Sequence, residues 1–512
     1  MKREKVFLFI IVLAVLISYF RVFTLDFVWD DIPQIIHNKT VKNFNIIDIF
    51  TKDGEYGIEV RESKTPYYRP VFQLSFAIDY LIFGPRPALF HISNLIIHIL
   101  VTTLLFYLLC LYFNDKIYAF LGAFFVGIYP ARAEAVLYVS ARLHILGALF
   151  TILSLYLFKL YLNDNKKLFY KLSCLSFFLA VFSVEMSMFL PLFLLFEDGI
   201  EKISQKFKRL IPYFLIILFY LISRYMVLER FIWLEVPFTT RLNTAFSTYV
   251  KYMEIIFNPF NLKTFYENYD FFTKSMNVNS FFGLVLMSLT VYGAYLSYKK
   301  NKLVFKGILW FSMSFFFVSN IPYIMYPALI SERYLYFPLI GLAFIIPQAV
   351  KATIKLDRKI IALMCVFFLI PSVYTIYKRA YDYSSNLNFW QMATKAAPKN
   401  IYALDQLAQV YLALGNPFKA LAIYEKIMEI NPADYDNYTK IGNFYLNFNN
   451  PDDAMKFYEK ALSIYEYDEA YWGMARVYLL KGDNIKAKEY IEKAIRISPN
   501  KKKYRDLLRT IR

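Results

Sequence analysis

Only three cysteines occur among the 512 residues, Cys110, Cys174 and Cys365. Each falls inside an apolar run, which speaks against a disulfide framework or a cysteine metal site and leaves core packing. No module of interleaved basic and aromatic residues of the nucleic-acid-binding kind is present, although the net charge is +18. The excess of Lys and Arg is therefore read as loop charge and attraction to anionic lipid. No small-residue cleavage site follows the opening Met1-Lys2-Arg3-Glu4-Lys5 and its apolar run, so the segment reads as a signal anchor. The hydropathy pattern does not repeat in halves, which argues against a transporter built from repeats.

What is abundant is apolar surface. Hydrophobic residues make up 58% of the chain, with 52 Phe and 44 Tyr, too apolar for a soluble protein and suited to interfacial belts and span packing. Apolar runs recur at 6–24, 89–113, 117–130, 143–162, 168–184, 186–196, 210–228, 281–297, 303–320, 333–350 and 359–377, about eleven spans. The expected fold is all-α: a polytopic helical membrane domain over 1–380, a linker over 381–399 and a helical solenoid over 400–512. Basic residues cluster at the N-terminus, Lys166-Lys167, Lys202 to Arg209, Lys299 to Lys302 and Lys351 to Lys359. With alternating spans these share one side, which is then cytoplasmic. Residues 244–257 carry Lys251 and Glu254 and are expected to lie along the interface.

The polar residues that resist this apolar background gather at the other ends of the spans. Asp30 and Asp31 follow the first span directly. Adjacent carboxylates there are costly unless they pair, bind a cation or do chemistry. Further along come Tyr68 and Arg69 before Pro70, then His91, Asn94 and His98 on one helix face by their three- and four-residue spacing. Arg132 and Glu134 follow Pro130; Arg142 and His144 open a span; Glu185 stands alone between two apolar runs. Arg224 and the Glu332-Arg333 pair complete the set. Both charge signs converging at one depth would suit an anionic lipid headgroup, with Arg69, Arg132, Arg142, Arg224 and Arg333 neutralising a phosphate. A carboxylate would take a proton from an incoming nucleophile. The plainer readings are packing for the histidines, snorkelling for Arg142 and structural ion pairs for Glu134, Glu332 and Arg333.

The segment 401–499 repeats with a period of 34 and then 33 residues, as the aligned Leu404, Tyr438 and Tyr471 show. Three units, 401–432, 435–467 and 468–499, carry a small residue at the eighth position and Ala420, Ala454 and Ala487 at the twentieth. This pattern resembles the tetratricopeptide repeat, and Lys501 to Arg512 reads as a basic capping helix. Such a stack suits an acceptor or partner protein.

Taken in order, Asp30-Asp31, Tyr68-Arg69-Pro70, the His91/Asn94/His98 pattern, Pro130 to Val136, Ala141-Arg142, Glu185 and Glu332 to Tyr336 resemble the transmembrane and tetratricopeptide-repeat O-mannosyltransferases. These are membrane glycosyltransferases of the GT-C class. The resemblance implies a polyprenyl-phosphate-sugar donor, with mannose as the suggested sugar. It implies a hydroxyl acceptor, Ser or Thr of a protein, on the non-cytoplasmic face, and inversion at the anomeric carbon. An acidic residue of the first outer loop would be the base, here Asp30 or Asp31, with Asp30 slightly favoured. Tyr68, His91, Asn94, His98, Glu134, His144, Glu185 and Glu332 would support the site. No cofactor beyond the lipid-linked donor is implied, and a divalent cation stays open. Three positions depart from the family pattern: Tyr129 precedes Pro130 in place of His, Leu143 stands where an acid usually follows Gly-Arg, and Val184 replaces a Lys. They fit a changed donor sugar or a non-catalytic member. The competing reading is a membrane-anchored repeat scaffold of an envelope complex. Ile-, Lys-, Asn- and Phe-rich usage suggests a bacterial inner membrane, with the N-terminus cytoplasmic and the repeats outside.

Overall fold

The computed structural model describes residues 2–54, 56, 58, 67–197, 203–229, 236–267, 271–325, 327–353 and 358–511. These residues are helical or irregular, and a single isolated bridge, Asn38 to Ile58, is the only extended pairing among them. The chain divides into Met1–Phe389 and Trp390–Arg512.

Among the described residues of the first unit, seven helices are long and apolar enough to cross a bilayer, and up to eight if the bent pair Lys116–Gly127 with Pro130–Leu137 counts as one. About eleven apolar runs occur in the sequence, and the difference has local causes. The helices Lys167–Val181 and Lys302–Phe316 are 15 residues each, so both runs leave the helix before their apolar stretch ends. The run at 186–196 breaks into a 3₁₀ turn, Glu185–Phe189, and a five-residue helix with Pro191 in its first turn. Residues 244–257 belong to a longer helix, Phe238–Phe257, which buries Thr244, Thr248 and Tyr252 and is not among the candidate spans.

Charged groups sit at both ends of the apolar helices. Near one end, the fully buried Glu197 receives Lys159 at 3.0 Å and Lys306 at 3.1 Å, and the Tyr112 hydroxyl donates to it at 2.7 Å. Lys206 donates to the backbone carbonyls of Leu195 and Glu197 at 2.9 and 3.1 Å. Further along the same helix as Lys206 lies Arg224, eighteen residues on, about 27 Å at 1.5 Å per residue. That separation approaches the roughly 30 Å hydrocarbon thickness of a bilayer. Two lysines on different helices thus share one carboxylate, and a third caps the backbone carbonyls beside it. Glu197→Ala is expected to destabilise the unit by about 3–5 kcal/mol, because it strands buried ammonium groups. Thermal unfolding in detergent checks this, and an unchanged midpoint would contradict it.

The second unit consists of paired helices: Ile401–Ala413 with Pro417–Ile430, Tyr435–Asn447 with Pro451–Ile464, and Asp468–Leu480 with Asn484–Ile497. The turn within each pair needs one left-handed residue, supplied by Gly415, Asn449 and Gly482 at φ 72°, 54° and 78°. Gly and Asn adopt this region with least cost. At Gly442 and Gly473 a Cβ would come within 2.6 and 2.4 Å of the Tyr458 ring, so these positions must be small for the helices to interlock. The basic helix Lys502–Thr510 closes the stack through buried Tyr504, whose hydroxyl donates to Asp468 and Glu469 at 3.0 and 2.9 Å. Residues 386–396 of the expected linker form a helix, Asn386–Ala396.

Candidate functional site

The site starts from a strained turn. Trp29 adopts φ 49°, a left-handed conformation that costs a bulky residue about 1–2 kcal/mol. Its backbone N–H donates to Asn386 Oδ1 at 3.1 Å, and its ring stacks on Tyr138 with centroids 5.7 Å apart. The turn sends the two following carboxylates into different surroundings. Asp31 is fully buried: Oδ1 accepts from the Ser140 N–H at 2.7 Å and the Ser140 hydroxyl at 2.6 Å, and Oδ2 from the Val28 N–H at 3.1 Å. Asp30 remains partly exposed, its backbone N–H donating to the Tyr138 hydroxyl at 3.2 Å. The sequence offers no such distinction, because the partner of Asp31 comes from a segment 109 residues away.

Burial pushes the Asp31 carboxyl up to about 7, against the hydrogen bonds from Ser140 and Val28, with neighbouring Asp30 adding to the rise. An unfolded Asp titrates near ~3.9. Between those values the folded chain holds a proton that the unfolded chain has released. The Asp31 contribution to stability is thus full below about pH 4 and is lost as pH rises to about 7. Asp31→Asn is expected to flatten this part of the stability profile, measured by thermal unfolding from pH 4 to 7. The same slope in both proteins would contradict it.

Across from the turn, Arg69 and Arg224 meet on Glu185. Arg69 Nε lies 2.9 Å from Oε2, and Arg224 Nη1 lies 3.1 Å from Oε1. The Tyr220 hydroxyl is within 3.2 Å of Glu185 Oε1 and 3.0 Å of the Tyr68 carbonyl. Tyr67, stacked beneath Arg69 at 4.5 Å, is within electrostatic reach of Asp30, Arg69, Glu185 and Tyr334. A second pair lies beside it: Glu134 binds Arg333 Nη1 at 2.6 Å, the Arg333 N–H at 2.9 Å and the Ser331 hydroxyl at 2.8 Å. The Arg333 guanidinium lies over the rings of Trp29, Tyr138 and Tyr334 at 5.1, 5.5 and 5.1 Å. His144 packs edge-on to Tyr334 and is within electrostatic reach of Arg333 and Arg69. Asp30, Arg69, Glu185, Arg224, Glu134, Arg333 and His144 therefore form one neighbourhood.

Other residues singled out in the sequence lie in packing roles around it. Arg142 uses Nε on Asn94 at 2.6 Å, Nη1 on the Ser75 carbonyl at 3.3 Å and Nη2 on Asp79 at 2.7 Å and the Phe90 carbonyl at 3.0 Å. With four of its five N–H donors engaged and 1% of the residue exposed, it is closed off from a phosphate. Asp79 is the acid paired with Arg142. Arg132 is fully buried, donates to the Val126 carbonyl at 2.8 Å and lies 3.8 Å over the Tyr336 ring. His98 bridges the Tyr336 hydroxyl at 2.7 Å and the Gly127 carbonyl at 2.9 Å, and His91 contacts the Asp26 carbonyl at 3.2 Å. The Tyr68 hydroxyl donates to the Phe50 carbonyl at 2.8 Å. Tyr129 donates its hydroxyl to the Ile256 carbonyl. Val184 is buried against Gly147, so a lysine there would displace packing.

Glu332 belongs to a network the sequence reading missed. It accepts from Arg379 at 3.0 Å, Tyr266 at 2.9 Å and the Lys263 N–H at 3.0 Å, while Arg379 also holds Asp382 at 2.6 Å. Asp79 and Arg379 carried a usable signal, since a lone charge inside or ending an apolar run requires a partner. No group of three or more His, Cys, Asp or Glu suited to a metal occurs among the described residues.

The tetratricopeptide-repeat family model matches residues 401–434, 435–468 and 468–501. These segments are tetratricopeptide repeats. The chain is also 28% identical over 142 residues to "Protein O-mannosyl-transferase TMTC3" of Mus musculus, a stretch that covers 28% of this chain and 15% of that protein. It is 33% identical over 135 residues to "Protein O-mannosyl-transferase TMTC1" of Homo sapiens, covering 25% and 15%. A third relative, "Protein O-mannosyl-transferase F38B6.6" of Caenorhabditis elegans, is 29% identical over 159 residues, covering 29% and 22%. The chain thus spans under a quarter of the length of these curated relatives. Among solved structures it is similar to the MamA protein, with 23% identity, 26% of this chain and 72% of that one covered, and a TM-score of 0.22.

Proposed function

We propose that the chain is an integral-membrane glycosyltransferase that moves a sugar, mannose by its relatives' names, from a polyprenyl-phosphate donor to a Ser or Thr hydroxyl of a protein. The observation that carries the reading is the division of labour around Trp29: a partly exposed Asp30 in the same neighbourhood as two incompletely used arginines. Arg69 gives only Nε to Glu185, and Arg333 gives Nη1 and its backbone N–H to Glu134. Their remaining N–H groups suit a phosphate.

In this mechanism Asp30 accepts the proton of the acceptor hydroxyl as its oxygen attacks the anomeric carbon. The bond from that carbon to the phosphate oxygen breaks, and lipid phosphate leaves on the arginines, where the growing charge is stabilised. One attack without a covalent enzyme intermediate inverts the anomeric carbon. Buried Asp31 fixes the turn by binding Ser140. The site lies on the non-cytoplasmic face, and the repeats hold the acceptor protein. Purified protein should transfer sugar from one member of a panel of polyprenyl-phosphate sugars to a Ser/Thr peptide or protein. Transfer from a nucleotide sugar alone, or from none of the panel, would contradict the reading.

A further inference from the structure

A second lipid-facing feature lies along the first helix, away from the arginine and carboxylate groups. A cavity of about 460 Å³ runs between the helices Lys2–Ser18 and Arg358–Asp382, floored by Lys116–Gly127. Its lining is apolar from Phe7 and Leu13 to Phe120, Cys365 and Leu369, with one cation, Arg3, at its end. Lined positions extend from Arg3 to Ile17 on the first helix, about 21 Å at 1.5 Å per residue. That exceeds the roughly 15 Å depth of hydrocarbon in a single leaflet. Arg3 has no carboxylate partner among the described residues: Glu4 is taken by Lys116, and the Arg3 guanidinium lies 6.0 Å over the Phe7 ring.

We infer that this groove is a binding site for one anionic phospholipid of the leaflet next to the N-terminus. One acyl chain lies along the first helix, and the headgroup phosphate pairs with Arg3. The argument is charge complementarity joined to length. An apolar channel open along a span will be filled by a lipid chain, and a lone guanidinium at its interfacial end selects an acidic headgroup. The bound chain would fill the gap between the first and the last helix of the membrane unit. The site is independent of the proposed sugar transfer, since neither Arg3 nor the groove residues belong to the Asp30 neighbourhood.

The test is a lipid titration of the purified, delipidated full chain, read by native mass spectrometry. Phosphatidylglycerol and phosphatidylcholine with identical acyl chains are compared. Phosphatidylglycerol should bind at one site roughly tenfold more tightly, the effect of a single charge-assisted contact. Arg3→Gln should reduce phosphatidylglycerol to the level of phosphatidylcholine. Leu13→Trp, at a half-exposed groove position where folding is little at risk, should weaken both lipids. Equal binding of the two lipids by the unaltered protein, or unchanged phosphatidylglycerol binding in Arg3→Gln, would overturn the inference. So would unchanged binding of both lipids in Leu13→Trp.

Discussion

Asp30→Asn is expected to lower the rate of sugar transfer by roughly 10²–10⁴-fold, the usual contribution of a positioned general base. The substitution keeps the size of the side chain and its partly exposed position, so the fold should be kept. The backbone bond from the Asp30 N–H to Tyr138 does not involve the carboxylate, and the strained Trp29 turn is held by Asn386 and the Tyr138 ring. Asp31→Ala should behave in the opposite manner. It removes the acceptor for three donors, Val28 N–H, Ser140 N–H and Ser140 Oγ, and each buried donor left unpaired costs about 1–3 kcal/mol. Loss of stability with Asp31→Ala beside loss of rate with Asp30→Asn would separate the two adjacent carboxylates. Steady-state transfer and thermal unfolding, measured on both variants, check it; full transfer by Asp30→Asn would remove the base.

Arg69→Ala is expected to lower transfer by roughly 10²–10³-fold, the loss seen when one donor to a developing negative charge is removed. Arg69→Lys should recover only part of it, because a point charge cannot hold Glu185 and a phosphate through separate nitrogens. The same change made at Arg142 should act mainly on stability. That guanidinium is closed in by Asp79, Asn94 and two carbonyls between the rings of Phe76 and Phe90. The contrast between the two arginines is measured as the ratio of rate loss to loss of unfolding midpoint in each variant. Equal ratios would show that Arg69, too, is only structural.

Much of this architecture was legible in the sequence because it rests on local period and on lone charges. The repeats declare themselves through a 34- and 33-residue spacing, and the left-handed turns at Gly415, Asn449 and Gly482 fall at that same interval. The gathering of Asp30, Arg69, Glu134, Glu185, Arg224 and Arg333 was expected from charges interrupting apolar runs. What could not be read is which carboxylate is buried and which arginine is already consumed. Asp31 is buried by Ser140, and Arg142 is closed in by Asp79 and Asn94; these partners come from distant segments whose approach depends on packing. Among the described residues, seven or eight helices are long and apolar enough to span, against about eleven apolar runs, for a related reason. Composition marks a run as apolar, but Pro191 and the turn at Glu185 decide that 186–196 does not continue as one helix.

The most direct measurement of the central claim uses a polyprenyl-phosphate sugar carrying a photoreactive group next to the phosphate. Irradiated with the full chain, it should label the peptide containing Arg69 and the peptide containing Arg333, and Asp30→Asn should be labelled equally while failing to transfer. Labelling that maps away from both arginines, or an Asp30→Asn protein that transfers normally, would contradict the account.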